Sequence, residues 1–364
     1  PPRSTLFPYT TLFRSKKLIE MAGAPIMPTP AAVGVIMETI AKREHLNLIG
    51  VDIGGATTDV FSVFDGVFNR TVSANLGMSY SISNVLAEAG LANIMRWVPF
   101  DIDEQTLRNR IKNKMVRPTT IPQTLDELQI EQAISREALR LALLHHKSLA
   151  TGLKGVQQER TISDVFEQQA SGKSLINMLK LDLIVGSGGI LSHAPRRIQS
   201  MLMMVDAYEP LGVTQLSVDS IFMMPHLGVL STINEQAATD VFVRDCMVYL
   251  GTCVAPVGQA KEGERLADFE LTWPDGRVVR DQLRMGELRL FPLGVQEQAT
   301  VVMHPAKKID VGHGPGASLT RTVRGGVVGL MLDGRGRPLQ LPADSPARIA
   351  ALTKWFQSVE LYPS

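Results

Sequence analysis

The chain has 364 residues, and its 37 Lys and Arg against 36 Asp and Glu give a formal net charge of only +1. This balance provides no general basic field for nucleic acid or an anionic membrane, and we expect neither as a partner. Hydrophobic residues at 45% and charged residues at 20% exclude a disordered chain, and the length predicts at least two hydrophobic cores.

No apolar run approaches the roughly 20 residues that a membrane-spanning helix needs. The 2 cysteines, Cys246 and Cys253, fall on the apolar side of a predicted helix, at a spacing too long for a disulfide. We interpret them as reduced core thiols, and the cytoplasm is the expected location.

Residues 1–15 contain a near-duplicate, TLFP followed by TLFR. They lack the charged and apolar zones of a signal peptide. Because they resemble translated sequencing-adapter read-through, we interpret them as non-native, and we expect the natural chain to extend upstream of Lys16.

Helical and strand patterns then alternate along the chain. Thr29-Pro30 opens a predicted helix, and the apolar run 46–53 predicts a buried strand. Asp65-Gly66 predicts a hairpin turn. The other predicted elements are a helix over 81–90, mostly helical residues over 97–180 with the clearest pattern at 125–149, strands at 181–185 and 218–223, helices from Ser192 and over 235–254, hairpins at 274–276 and 333–334, short strands at 287–291, 300–303 and 327–332, and a terminal helix from Pro346.

The sharpest motif is DIGGATTD, from Asp52 to Asp59. Two glycines after a buried strand allow a tight turn whose backbone N–H groups reach phosphate oxygens, and the threonine hydroxyls add donors. Asp52 stands where a carboxylate holds Mg²⁺ through water. Because the turn leads into a hairpin and not a helix, the Walker and dinucleotide loops are excluded. An ordinary connection between strands is the alternative.

A second glycine turn, Gly186-Ser187-Gly188-Gly189, follows another predicted strand and precedes a helix. It suits close passage of a flat adenine or ribose, because glycine has no side chain to intrude. A tight packing turn between strand and helix is the alternative. Two such turns at strand ends predict one nucleotide in a shared cleft.

The segments VDIGGATTDVFSV, RTVSANLGMS, LIVGSGGILSHAP and GGVVGLMLDGRGRPL resemble the glutamate mutase L (MutL) family, accessory proteins of adenosylcobalamin-dependent mutases. The segment 52–59 resembles the second phosphate motif of the actin, heat-shock chaperone and sugar kinase ATPase superfamily, to which that family is assigned, and 186–189 resembles its adenosine motif. The likeness covers about residues 25–360. It implies an α/β fold with an actin-like, ribonuclease H-like ATPase second lobe, divided as follows: 1–15 non-native, 16–46 remnant of the first lobe and connecting helix, 47–260 nucleotide-binding lobe with a helical insertion at about 97–180, and 261–364 β-rich C-terminal unit with a terminal helix.

The resemblance also implies a site for ATP and Mg²⁺. Asp52 would contact Mg²⁺ through water. The implied phosphate-binding residues are Asp52, Gly54, Gly55, Ala56, Thr57, Thr58 and Asp59, and the implied adenosine-binding residues are Gly186, Ser187, Gly188 and Gly189.

Two departures from the superfamily bear on hydrolysis. The first phosphate motif, an Asp-x-Gly hairpin, has no counterpart from Lys16 onward, and Met27 stands where chaperones place an acidic or amide residue that orients the attacking water. ATP hydrolysis is therefore expected only of a longer chain that supplies the first motif.

The function that this resemblance implies is that of an ATP-binding, reactivating or chaperone-like accessory protein, whose partner is a subunit of an adenosylcobalamin-dependent mutase. Two alternatives remain open. One is an actin-like scaffold or filament protein regulated by nucleotide, and the other is the nucleotide-binding half of a hydantoinase-like hydrolase.

Overall fold

The computed structural model describes residues 26–150 and 175–363. The segment 1–15 that we interpret as non-native lies outside these ranges, as do residues 16–25 and the part of the predicted helical insertion over 151–174. Within the described ranges, no helix combines the length and the apolar character needed to cross a membrane.

Helices and strands alternate through the first two thirds of the chain, and strands dominate the last third. The helices are α1 Thr29–Glu44, α2 Ile82–Ala89, α3 Leu91–Met95, α4 Glu104–Val116, α5 Leu125–Leu149, α6 Gly189–Ser192, α7 Arg197–Tyr208, α8 Met224–Ser231, α9 Glu235–Val241 and α10 Ser345–Ser358. The strands are β1 Leu48–Ile53, β2 Thr58–Phe64, β3 Val67–Ser73, β4 Leu183–Ser187, β5 Gly212–Asp219, β6 Met247–Ala255, β7 Val257–Gly258, β8 Arg265–Thr272, β9 Val278–Arg284, β10 Leu288–Phe291, β11 Gln298–Pro305, β12 Ile309–Asp310, β13 Leu319–Arg324 and β14 Gly329–Asp333.

A mixed sheet of 8 strands forms the centre, in the order β10-β14-β6-β5-β4-β1-β2-β3. Strand β2 runs antiparallel to both β1 and β3, whereas β4 is parallel to β1 and β5 is parallel to β4. Strand β6 is antiparallel to β5 and parallel to β14. The predicted α/β class is therefore confirmed.

Helices cover both faces of this sheet. Leu48 and Leu183 point to the face where α1 and α8 pack. Ile49 and Val51 point to the opposite face, where α2, α5 and α7 pack. Alternate residues of β1 are thus buried in two different cores, which explains why its sequence is nearly continuous in apolar residues.

The last third of the chain contributes to three sheets, the smallest of which is the antiparallel pair β7 and β12. Strands β13, β11, β8 and β9 form an antiparallel sheet with its own core. Strands β10 and β14, which also follow residue 261, extend the large sheet beyond β6. The chain thus returns to the central layer before the terminal helix α10.

The helix predicted at 235–254 is wrong over its second half. Helix α9 ends at Val241, a π-helical turn covers Phe242–Cys246, and β6 follows. In β6, Gly251 has a φ of 145°, and a Cβ there would overlap the carbonyl oxygen of Gly329 on β14. Tertiary pairing with β5 and β14 therefore overrides the local helical period. Both cysteines are nevertheless free and buried.

A buried histidine connects α5 to the β2–β3 hairpin. The Nδ1 atom of His146 lies 2.9 Å from Thr71 Oγ1, and its Nε2 atom lies 2.8 Å from Ser62 Oγ. Because a hydroxyl both donates and accepts, a neutral imidazole satisfies both contacts. Burial first, then the charges of His145 and Lys147, lower the pKa of His146 from 6.5 to about 4.

We expect the free energy of unfolding to fall as the pH drops from 6.5 towards 4, because the unfolded chain then binds a proton at His146 that the folded chain excludes. The pKa difference corresponds to a loss of about 3 kcal/mol. Chemical denaturation at several pH values measures it. His146→Gln, which keeps a donor and an acceptor, should flatten this dependence, whereas His304→Gln at an exposed site should not. Equal slopes for wild type and His146→Gln would contradict the assignment.

Candidate functional site

The two predicted glycine turns lie side by side at one edge of the large sheet. They follow the parallel neighbours β1 and β4, in which Asp52 pairs with Ser187. Gly188 packs directly on the end of β1, since a Cβ at Gly188 would overlap the carbonyl oxygen of Ile53. The structure thus brings the segments 52–59 and 186–189 together at the carboxyl ends of parallel strands, where α/β folds bind ligands.

The glycine turn between β1 and β2 is fixed by hydrogen bonds within the turn and from the segment that follows β3. The Gly54 N–H donates to the Thr57 carbonyl at 2.8 Å, which closes the turn. The carbonyls of Gly54 and Gly55 accept from Met78 N at 3.0 Å and Ser79 N at 2.9 Å. These bonds fix the outer path of the backbone.

Three successive N–H groups of this turn have no acceptor in the part of the chain that the structure describes. Within the described residues, the amides of Gly55, Ala56 and Thr57 donate no hydrogen bond, and Ala56 is exposed. Consecutive unpaired amides of this kind form a concave site for an anion. Gly54 differs from these three residues, because its amide donates to the Thr57 carbonyl within the turn and is not free for an anion.

The two threonines of the motif are not equivalent. The Thr58 hydroxyl is buried and donates to the carbonyl of Leu76. Thr57 is half-buried, and its Oγ1 atom lies 3.5 Å from Asp59 Oδ2, at the outer limit of a hydrogen bond. Thr57 therefore keeps a hydroxyl for a ligand, and Thr58 anchors the turn.

Two carboxylates face each other beneath this turn. Asp52 and Asp59 pair across β1 and β2. Burial first, and then the negative charge of Asp59, raise the pKa of Asp52 to about 6, with a further contribution from Asp219, while the Ser187 hydroxyl acts in the opposite direction. Burial likewise raises the pKa of Asp59, and Arg70 opposes it.

This pair fits a hydrated cation better than a cation enclosed by protein ligands. The Oδ1 atom of Asp59 is buried without a hydrogen-bond partner in the described part of the chain. No group of three or more His, Cys, Asp or Glu side chains among residues 26–150 and 175–363 is arranged to hold a metal. Mg²⁺ would therefore take most of its ligands from water and phosphate, as it does in nucleotide sites.

Packing explains part of the second glycine turn. A Cβ at Gly186 would lie 2.7 Å from Met204 Sδ, and Gly188 has a φ of 99°. Both observations agree with the packing turn that sequence left as an alternative. Gly189 differs, because it is exposed and a Cβ there would meet no atom within 4 Å. Ser187 is buried opposite Asp52.

Asp219 is a residue of this edge that the sequence interpretation missed. It ends β5, and its carboxylate accepts from Ile221 N and Met224 N, each at 3.1 Å. Its carbonyl accepts from Ser192 Oγ at 2.6 Å, which ties β5 to the second glycine turn. A carboxylate at the end of a third apolar strand could have indicated this residue. The strand was predicted at 218–223, however, which placed Asp219 inside the strand and not at its end.

Comparisons with known proteins identify a family and a curated relative. A family model described as MutL protein matches residues 14–246. Protein MutL of Clostridium tetanomorphum is 27% identical over 208 residues, which are 49% of this chain and 42% of that protein. The match therefore spans less than half of the relative's length.

A solved structure, component A of (R)-2-hydroxyglutaryl-CoA dehydratase from Acidaminococcus fermentans, aligns with 55% of this chain and 64% of its own. The sequence identity is 10% and the TM-score is 0.27, so this likeness is too weak to bear on the fold. The family match is decisive in itself. Because its model covers well over half of the sequence, the chain belongs to the MutL protein family.

Proposed function

We propose that this chain is an ATP-binding accessory protein of an adenosylcobalamin-dependent mutase of the glutamate mutase type, and that it takes part in reactivating that enzyme. The observation that carries the proposal is the turn at 55–57, where three successive amides have no acceptor among the described residues and which joins the strands that carry Asp52 and Asp59. An anion bound by the amides and a cation bound near the carboxylates are the two needs of a magnesium–phosphate complex.

The strand order supports an actin-like lobe. Strands β1, β4 and β5 are parallel neighbours, and the antiparallel strands β2 and β3 extend the sheet beyond β1. In an actin-type, ribonuclease H-like lobe, the phosphate turn joins the first two strands, which are antiparallel. The position of Gly54-Gly55 between β1 and β2 agrees with this arrangement.

The proposal assigns a separate role to each group of motif residues. The amides of Gly55, Ala56 and Thr57 bind phosphate oxygens, and Asp52 holds Mg²⁺ through water. Gly189 leaves room for the ribose or adenine. The remaining motif residues shape the site: Gly54, Thr58 and Asp59 set the first turn, and Gly186, Ser187 and Gly188 set the second.

The proposal assigns nucleotide binding to these residues and does not assign hydrolysis. Met27 is half-buried just before α1, and its side chain offers neither a carboxylate nor an amide to orient water. ATP and ADP act on a partner only if they bind two conformations with different affinity. A mutase subunit as that partner, and the cytoplasm as its location, follow from the family resemblance and agree with the free, buried thiols.

Asp52→Asn tests the proposal. We expect the variant to lose the Mg²⁺-dependent part of ATP affinity, with a rise in Kd of roughly tenfold, because the amide cannot replace the carboxylate beside the cation. Isothermal titration with ATP, in Mg²⁺ and in a chelator, measures this effect. Wild-type binding of Mg-ATP should itself weaken below pH 6, as Asp52 becomes protonated.

The same variant should be more stable than wild type at pH 7. Because the folded pKa of Asp52 is raised from 3.8 to about 6, the ionised carboxylate destabilises the folded state above pH 6, by up to about 3 kcal/mol. Asp65→Asn is the matched control, since Asn also suits that exposed left-handed turn position. Undetectable ATP binding by wild type, or the same Mg²⁺ effect in Asp52→Asn, would refute the proposal.

A further inference from the structure

The turn between β5 and α8 lies at the sheet edge that also carries the two glycine turns, and it presents two large apolar side chains to solvent. Ile221 is 58% exposed and Phe222 is 41% exposed. They lie two and three residues after Asp219, in a turn that the carboxylate of Asp219 holds by accepting from Ile221 N and Met224 N. Large apolar groups held in an exposed turn beside a ligand edge suggest contact with a ligand.

Phe222 has an unusual backbone conformation. Its φ is 55°, in the left-handed region that a bulky side chain rarely adopts. The Phe222 side chain remains 41% exposed. Burial in the core therefore does not explain why the backbone adopts a positive φ here. Strain of this kind concentrates at functional sites, where it fixes a side chain for binding.

The position of the turn gives its distance from the phosphate turn. Strands β1, β4 and β5 are consecutive neighbours in the sheet, and neighbouring strands lie about 4.8 Å apart, so that the turns after β1 and β5 are separated by about 10 Å. A nucleotide extends over a distance of this order from its phosphates to its base. Ser192, which ends the short helix after the second glycine turn, donates to the carbonyl of Asp219 at 2.6 Å. The second turn therefore lies between the other two.

We propose that Phe222 stacks on the base of a nucleotide whose phosphates are bound by the amides at 55–57. This inference rests on the proposed function and adds to it a binding residue outside the glycine motifs. Tyr80, although 67% exposed, is less suited to that contact, because its ring lies 3.7 Å from where a Cβ of Gly55 would be. Tyr80 thus flanks the phosphate end.

Phe222→Ala separates contact with the base from contact with the phosphates. ATP and inorganic tripolyphosphate, which has no base, are titrated into wild type and variant in the presence of Mg²⁺. We expect the Kd for ATP to rise roughly 5- to 100-fold, the range that loss of one base–aromatic stack produces. The Kd for tripolyphosphate should not change. Phe222→Trp should keep ATP affinity, and Ile233→Ala, at a 62% exposed site on the following turn, should match wild type.

Phe222→Gly shows whether a loss of ATP affinity comes from removal of the ring or from destabilisation of the fold. Glycine adopts a positive φ at little cost, so this variant should melt at the same temperature as wild type or above it, while its ATP affinity falls. Wild-type ATP affinity in Phe222→Ala, or equal losses for ATP and tripolyphosphate, would overturn the inference and leave the proposed function in place. Absence of ATP binding by wild type would overturn both.

Discussion

Asp333→Ala is expected to lower the free energy of unfolding by about 3 to 5 kcal/mol, the usual result of removing one partner from a buried ion pair. Asp333 is fully buried at the end of β14. Its carboxylate accepts from Arg335 Nε at 2.9 Å, from Arg335 Nη2 at 2.8 Å and from Arg337 Nη2 at 2.7 Å. In the alanine variant, the guanidinium groups of Arg335 and Arg337 would stay buried without the carboxylate that neutralises them.

These residues belong to a larger buried ion cluster. Arg335 also pairs with Asp206 of α7 at 2.8 Å, and Asp206 pairs with Arg136 of α5 at 2.7 Å. Burial alone would raise the pKa of Asp333, but the charges of Arg335 and Arg337 outweigh it and hold the pKa well below its usual range. The carboxylate is therefore ionised in the folded protein, and the cluster connects the segment after β14 to the helical layer.

Urea unfolding of wild type and variants at neutral pH measures the effect. Asp240→Ala removes an exposed carboxylate that pairs with Arg43 at 2.9 Å, and it should cost less than about 1 kcal/mol. The double variant Asp333→Ala, Arg335→Met should lose less than the sum of the two single variants, because it removes the stranded charge as well. A loss in Asp333→Ala as small as that in Asp240→Ala would show that the cluster adds little stability.

Local sequence signals predicted the elements that depend on local bonds. Helix α5 matches the predicted 125–149, and its start is fixed by Thr124 and Glu127, whose side chains and amides bond reciprocally. The hairpin turns at 65–66 and 274–276 also formed, as β2–β3 and β8–β9. The hairpin predicted at Asp333-Gly334 is wrong, because β14 pairs with β6 and β10, which are remote in sequence.

Long-range contacts were beyond a single sequence. Nothing near Asp333 indicates that Asp206 lies within reach of its partner Arg335, since the pair is far apart along the chain. The same limit applies to the candidate site. The DIGGATTD motif marks the turn, but only the fold shows that the Thr58 hydroxyl is taken by Leu76 and that Asp219 joins the edge. Composition and periodicity carry no such information.

Gly188→Ala is expected to destabilise the protein by about 2 to 4 kcal/mol and to separate the two glycine turns. Gly188 has a φ of 99°, and a Cβ there would overlap the Ile53 carbonyl oxygen and lie 2.7 Å from its carbonyl carbon. Backbone atoms of a central strand cannot move aside as a flexible side chain can. The turn must therefore shift away from the end of β1, where the proposed nucleotide would touch both turns.

Gly189→Ala is the matched control one residue further on. Its Cβ would meet no atom within 4 Å, and an alanine at an unstrained glycine position usually stabilises by about 0.4 to 1 kcal/mol through the unfolded chain. Urea unfolding should therefore separate the two variants in opposite directions. Titration with ATP should show a loss of affinity in Gly188→Ala relative to wild type under conditions where the variant is folded. Gly189→Ala is a control for stability alone, because its Cβ would enter the space proposed for the ribose or adenine. If Gly188→Ala were as stable as Gly189→Ala, the second turn would not be packed on β1, and a single nucleotide could not span both turns.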